Sequence, residues 1–337
     1  MGRVALRKKR RRKRLFWFLV FPVLLIAIVS SAYGGYLYKK AERVFSSAFY
    51  DDRGKSDLRD KRVDPKKDNF SVLFIGVDTS EKRGLEQNGR SDALMLATLN
   101  RDEKSVKLLS IPRDSYVYIR EVGYETKINH AHSYGGPRAT IETVEDLLEI
   151  PVDYYVRLDF EAFMEVVDAL GGIEVEVPYT FTEQDSKDRA NAIRLEKGLQ
   201  HLNGEEALAL ARTRKKDNDI ERGKRQQEIV KAIIKKASSG SSILKYDDVI
   251  DAIGSHMKTN MTFDEMKALI DYGISRDLTV ETLTIEGSDL RLPNSRGQLI
   301  YYWKLDEVSL EEVKNELKAH LEIDAPSSTK MASERFE

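Results

Sequence analysis

Residues 15–38 carry no charge at all, and only beyond them do apolar and polar positions alternate with the periods of packed structure. At about 1.5 Å per residue this run makes about 36 Å of helix, enough to cross a bilayer core of about 30 Å. Trp17 at one end and Tyr33, Tyr36 and Tyr38 at the other suit the two membrane interfaces. The pattern predicts a transmembrane signal anchor. A cleaved signal peptide, with small residues around Ala32, is the rival reading. Residues 39–68 are dominated by charge and predict a stalk that stands a domain off the membrane.

From Asn69 the pattern changes. "FSVLFIGV" is a short apolar run ending in Gly76 and Val77 and reads as a buried strand. "DALMLATLN" and "SVKLLSIP", separated by "RDEK", read as a hairpin. "PRATIETVEDLLEI" opens on Pro137 and carries Ile141, Val144, Leu147 and Leu148 at helical spacing. "DYYVRLD" is a strand, and "FEAFMEVVDALGG" is a helix closed by Gly171 and Gly172. "IEVEVP" alternates like a half-buried strand. Helices follow at "NGEEALALARTR", "DIERGKRQQEIVKAIIKKASS", "ILKYDDVIDAI", "TFDEMKALIDYGI" and "SLEEVKNELKAHL", with strand-like "DLTVETLTI" and "QLIYYW" between the last two. Interleaved strands and helices predict an α/β fold, and the hairpins make its sheet mixed. Residues 324–337 read as a polar tail.

Charge refines the picture. The first fourteen residues hold nine Lys or Arg and no acid, a topology signal that keeps the N-terminus cytoplasmic and places the remainder outside the cell. Without those nine cations, 46 Lys or Arg face 56 Asp or Glu, so the exported part is a poor general binder of polyanions. The absence of Cys excludes disulfides, catalytic thiols and thiolate metal sites, and leaves stability to an ordinary core.

Three constellations could carry chemistry. Asp78 ends the first strand, Arg90 and Asp92 precede the second, and Arg113 and Asp114 follow "LLSIP". Neighbouring strand ends bring such groups to one rim, where α/β proteins bind ligands. Two carboxylates there could hold Mg²⁺, or serve only as turn and cap residues. "ARTRKKDNDIERGKRQQ" supplies Arg212, Arg214, Arg222 and Arg225. If a helix begins near Asp219, Arg222 and Arg225 share a face and Gln226 neighbours Arg222 with another donor. Arg suits phosphate because its planar fork donates two bonds at once, although a solvated helix face is the plain alternative. "KINHAHSYGG" sets His130 and His132 two apart, which on a strand would point them the same way; a loop role is favoured over a metal one. Residues 84–91 miss a P-loop by one residue, with Arg90 where Lys is required, and lead into a strand rather than a helix.

Taken in order, "NFSVLFIGVDTS", "GRSDALMLATLN", "LLSIPRDSYV", "KINHAHSYGG", "VDALGGIEVEVP" and "GLQHLNGEEALALARTRKKDNDIERGKRQQ" resemble the LytR–CpsA–Psr family of Gram-positive cell walls, within it most of all the teichoic acid transferases. The resemblance runs from about residue 69 to 227 and more weakly to about 323. It implies a mixed central sheet flanked by helices, an apolar tunnel for a prenyl chain, and a catalytic domain at residues 69–323. It implies transfer of an anionic glycopolymer from an undecaprenyl pyrophosphate carrier to a peptidoglycan hydroxyl. Carried over by position, Asp78 and Asp92 match the Mg²⁺-associated acids (Mn²⁺ being an alternative). Arg90, Arg113, Arg214 and Arg222 match the arginines around the pyrophosphate, and Arg212, Arg225 and Gln226 fall in the same motif. Asp78, Asp92 and Arg113 are the expected catalytic residues. No nucleotide and no nucleic acid are implied. A phosphatase using water at the same site is one alternative, and a membrane-bound regulator is another.

Overall fold

The computed structural model describes residues 28–78, 89–216, 219–239, 245–254, 256–273 and 278–323. In chain order the strands are β1 (Phe70–Val77), β2 (Ser91–Asn100), β3 (Ser105–Ser110), β4 (Tyr116–Ile119), β5 (Tyr124–Lys127), β6 (Tyr154–Asp159) and β7 (Ile173–Val177). They continue with β8 (Phe181–Glu183), β9 (Ile193–Leu195), β10 (Gly198–Leu202), β11 (Met257–Thr259), β12 (Thr279–Thr284), β13 (Gly287–Pro293) and β14 (Leu299–Leu305). The helices are α1 (residues 28–48), α2 (His130–Leu148), α3 (Phe160–Ala169), α4 (Gly204–Arg212), α5 (Asp219–Ala237), α6 (Tyr246–Gly254), α7 (Phe263–Gly273) and α8 (Glu307–His320).

The expected mixed sheet is present. Six strands run in the order β11-β6-β1-β2-β3-β12. The hairpins β1–β2 and β2–β3 are antiparallel, whereas β1–β6 and β3–β12 are parallel crossovers. Side chains two apart along a strand share a face, and the core divides accordingly. Leu73, Ile75 and Val77 of β1 and Leu94 and Leu96 of β2 pack against Ile141, Val144 and Leu148 of α2 and Val313 and Leu317 of α8. Phe70, Val72 and Phe74 of β1 and Met95 and Ala97 of β2 face the other way, toward Ala41 and Phe45 of α1, Val230 of α5 and Met266 of α7. A third cluster joins α3, α4, α5 and the β7–β10 ribbon.

Two expectations change. The segment expected as a stalk lies against the domain. Residues of α1 reach Phe263, with the Phe45 and Phe263 rings 6.0 Å apart. Farther along, Arg59 forks onto Asp153 at 2.8 and 2.9 Å, and Ser56 donates to Glu145 at 2.6 Å. Two of the charges that suggested a solvated tether, Arg53 and Arg59, are partners for the buried acids Glu145 and Asp153. The helix expected from Pro137 is preceded by another turn, so α2 begins at His130 and breaks at Gly135 and Gly136. Gly136 has φ +65°, and Pro137, which lacks an N–H, restarts the helix where none is needed.

Of the expected anchor at residues 15–38, residues 15–27 lie outside the described residues, as do the basic residues 1–14, the loop at 79–88 and the tail at 324–337. Among the described residues no helix is long and apolar enough to cross a membrane.

Candidate active site

The rim expected from strand ends forms at one end of the sheet. In register, Val77 pairs with Ser91 on β2 and with Asp159 on β6, so Asp78 lies just past the strand end and Asp92 sits at the bulge opposite Gly76 and Val77. A register shift between Gly76 and Val77 tightens that corner, and a Cβ on Gly76 would come within 3.1 Å of the Ala93 Cβ. After β3, Pro112 opens a turn closed by Ser115, whose N–H and hydroxyl both donate to the Pro112 carbonyl at 3.0 and 2.6 Å. That turn presents Arg113, which pairs with Asp92, and Asp114, which accepts from Lys127 at 2.7 Å. Burial opposes ionisation of Asp114, but Lys127 and Arg113 outweigh it and hold its carboxyl below the usual range.

Helix α5 delivers Arg222, while Arg214 comes from the segment between α4 and α5. Gly223 lets it lie directly on β3, since a Cβ there would meet the Ser110 Oγ at 2.6 Å. Gln227 pins the contact by donating to the Leu108 and Leu283 carbonyls at 2.9 and 3.0 Å. Arg222, one residue before Gly223, is thereby buried at the rim. Its Nη1 lies 3.1 Å from Asp219, which also faces Arg214 at 3.4 Å. Burial pushes the Arg222 guanidinium down to about 10 despite Asp219, with Arg113 and Arg214 crowding it further. The Nε atoms of Arg113 and Arg222 are buried without a hydrogen-bond partner among the described residues. Buried donors of this kind call for an acceptor, and an anion would also relieve the crowding of cations.

Two cavities meet at these groups. One, of about 550 Å³, runs between the sheet and α3, α4 and α5 over Phe74, Met95, Phe163, Val166, Val230 and Ile233. The other, about 750 Å³, is polar and opens past Arg90, Lys127, Asn129 and His130. Asp78, Asp92, Arg113 and Arg214 line both. Interiors are otherwise close-packed, so an apolar void of this size has the dimensions of a ligand site. The arrangement can hold a molecule with a long hydrocarbon part and a polyanionic head.

The expected residues divide between these places. Arg212, Arg222 and Gln226 line the apolar cavity, with Arg212 5.5 Å from the Phe160 ring. Gln226 also donates to the Ala211 carbonyl at 3.2 Å. Arg90 faces the polar pocket only. Arg225 is not brought to the site, because its guanidinium is buried on the Leu210 and Thr213 carbonyls at the end of α4. Two residues apart on a helix point in different directions, and the pair His130 and His132 separates in this way. His130 faces the polar pocket, whereas buried His132 donates from Nδ1 to the Gly89 carbonyl at 2.6 Å. Sequence reasoning missed Asp219, read as an interruption of a basic run. Its spacing of three from Arg222 carried the signal.

The LytR_cpsA_psr family profile matches residues 36–319. The chain belongs to the LytR_cpsA_psr family. The polyisoprenyl-teichoic acid–peptidoglycan teichoic acid transferase TagT of Bacillus subtilis is 42% identical over 321 residues, covering 94% of this chain and 98% of TagT. A structure described as TagT bound to LI-WTA has a TM-score of 0.67 at 40% identity, covering 82% of this chain and 99% of that one. Another, a LytR-CPS2A-psr family protein YwtF (TagT) with bound octaprenyl pyrophosphate lipid, gives 0.63 at 38% identity with the same coverage. Family membership and the mixed α/β sheet agree with the sequence resemblance.

Proposed function

We propose that this family member is a membrane-anchored, extracytoplasmic phosphotransferase that moves an anionic glycopolymer, wall teichoic acid, from a polyprenyl pyrophosphate carrier to a peptidoglycan hydroxyl. The observation that carries the reading is the apolar cavity ending at Arg113, Arg214 and Arg222 and continuing into a polar pocket. The printed names of the relatives, a transferase of teichoic acid to peptidoglycan and a structure with octaprenyl pyrophosphate, support it.

In this reading the prenyl chain occupies the cavity and the pyrophosphate lies among the arginines. A peptidoglycan hydroxyl attacks the phosphorus that bears the polymer. A new P–O bond forms, the bond to the bridging oxygen breaks, and polyprenyl phosphate leaves. Arg113, Arg214 and Arg222 stabilise the charge that grows on the phosphoryl oxygens and the leaving phosphate. Asp219 holds Arg214 and Arg222 in place. The hydroxyl proton passes to a rim carboxylate, with Asp78 and Asp92 facing both cavities. Among the described residues no three His, Cys, Asp or Glu side chains gather to hold a metal. Two carboxylates suit Mg²⁺, which takes few protein ligands and completes its shell with phosphate oxygens and water. When bound by Asp78 and Asp92, Mg²⁺ would add positive charge beside the pyrophosphate.

The test uses the full chain in detergent with a lipid-linked polymer and peptidoglycan. The expected products are polyprenyl phosphate and polymer joined to glycan. Free polymer phosphate alone would show a phosphatase, and no release of polyprenyl phosphate would sink both readings.

A further inference from the structure

The polar pocket has an aromatic wall that the chemistry at the rim does not use. Tyr134 and Tyr301 line it. Tyr124 stands beside Tyr134, its hydroxyl 3.3 Å from that of Tyr134. Tyr124 and Tyr134 are 52% and 46% exposed, an unusual placement for two large rings beside a catalytic rim. The break at Gly135 and Gly136 explains part of it, since the first turn of α2 ends at Tyr134 before the helix turns back onto the core. The His130 ring meets Tyr134 edge-on with centroids 6.1 Å apart. Its Nδ1 is 3.0 Å from the Thr126 hydroxyl, which orients the ring.

Rings with an apolar face and a polar rim match a sugar, which has a C–H face and hydroxyls around its edge. Tyr also offers this area at small conformational cost. Which sugar is decided by direction. The cavity for the hydrocarbon lies on the sheet face of Phe74 and Met95, whereas α2 packs on the opposite face, over Leu73 and Ile75. In phosphoryl transfer the attacking and leaving oxygens lie roughly in line. With the leaving lipid phosphate drawn toward the first face, the attacking hydroxyl comes from the side of α2.

We propose that Tyr124, Tyr134 and Tyr301, with His130, form a subsite that seats a sugar ring of the acceptor glycan strand beside the attacked hydroxyl. The proposal rests on the transferase reading. Burial, followed by Arg90 and Lys127 nearby, pushes the His130 imidazole down to about 4. It is therefore neutral near pH 7 and adds no charge to repel Arg90 or Lys127.

The experiment measures transfer by the full chain with a lipid-linked polymer and teichoic-acid-free peptidoglycan strands as the acceptor. In the double variant Tyr124→Ala/Tyr134→Ala, the apparent KM for strands should rise about tenfold, from lost ring contacts. kcat and the Kd for the lipid-linked donor should change less than twofold, and Tyr134→Phe should restore most of the loss. Tyr118→Ala, on the same β4–β5 ribbon and equally exposed at 52%, should leave the acceptor KM unchanged. Wild-type transfer with an unchanged acceptor KM in the double variant would overturn the subsite alone. A rise in donor KM instead would also overturn it, by assigning the wall to the donor polymer. Lipid binding without any wild-type transfer would overturn the transferase reading and the subsite with it.

Discussion

The two faces of the central sheet are built from the same kinds of residue yet end differently. Under α2 and α8, Leu73, Ile75, Leu94 and Leu96 are fully buried in a closed core. On the other face, α1 and α7 close the half near Phe70 and Val72, but α3 and α5 leave an apolar cavity over Phe74 and Met95. A void in an apolar interior forgoes dispersion contacts that packing would supply. Its head is lined by Arg113, Arg214 and buried Arg222, the feature on which the reading of it as a lipid site rests. The closed face is a packed core, and the open face is where the proposed function places the lipid.

The largest effect expected from testing this contrast comes at the head of the cavity. Arg222→Ala should lower transfer by about 10²–10³-fold, the range for removing a donor to developing charge. It also leaves Asp219 with one partner fewer, so circular dichroism should accompany the assay. Arg225→Ala, by contrast, should act through stability, with a lower Tm and little change in kcat per folded molecule. A chelator should suppress transfer and added Mg²⁺ restore it, while the lipid-linked donor still binds; full activity after exhaustive chelation would remove the metal from the reading.

Smaller effects separate the faces themselves. Leu73→Ala on the closed face should destabilise by about 2–5 kcal/mol through lost burial and a new cavity. Ile233→Trp on the open face should leave Tm nearly unchanged and raise the KM for the lipid donor about tenfold, because it fills space meant for hydrocarbon. If both variants acted only on stability, the distinction between the faces would collapse. The smallest effect concerns the edge of the open face, where His256 sits 2.7 Å from Asp159. Burial opposes its charging, but Asp159 outweighs burial and raises its pKa. A raised folded value means that the pair stabilises fully below the ordinary value of about 6.5 and loses that contribution as pH rises past the raised one. His256→Gln should flatten this part of the Tm–pH curve, with a change of only a degree or two.

Periodicity carried much of the fold. Strands such as 70–77 and 154–159 and helices such as α3 and α5 were legible because one face of each is apolar at a fixed spacing. Strand ends also pointed to Asp78, Asp92 and Arg113, since side chains at neighbouring strand ends share a rim. What failed was context. Arg53 and Arg59 looked solvated because charge shows in sequence while their partners, Glu145 and Asp153, lie far along the chain. Arg225 looked equivalent to Arg222 at three residues' spacing, yet one meets the end of α4 and the other the rim. Asp219 looked like an intruder and instead bridges two arginines.

By itself, then, the sequence determined the longer strands and helices, the mixed α/β class, the basic residues available for a phosphate and the family resemblance, because these depend on local periodicity and ordered motifs. The short strands β4, β5, β8–β11 and β13 gave no such signal. Only the tertiary structure decided which arginines converge, where the packing stops short to leave a cavity, and which tyrosines stand at its polar end. Those properties depend on how close two elements approach, as at Gly223 on Ser110, and distance between segments is not written in either segment alone.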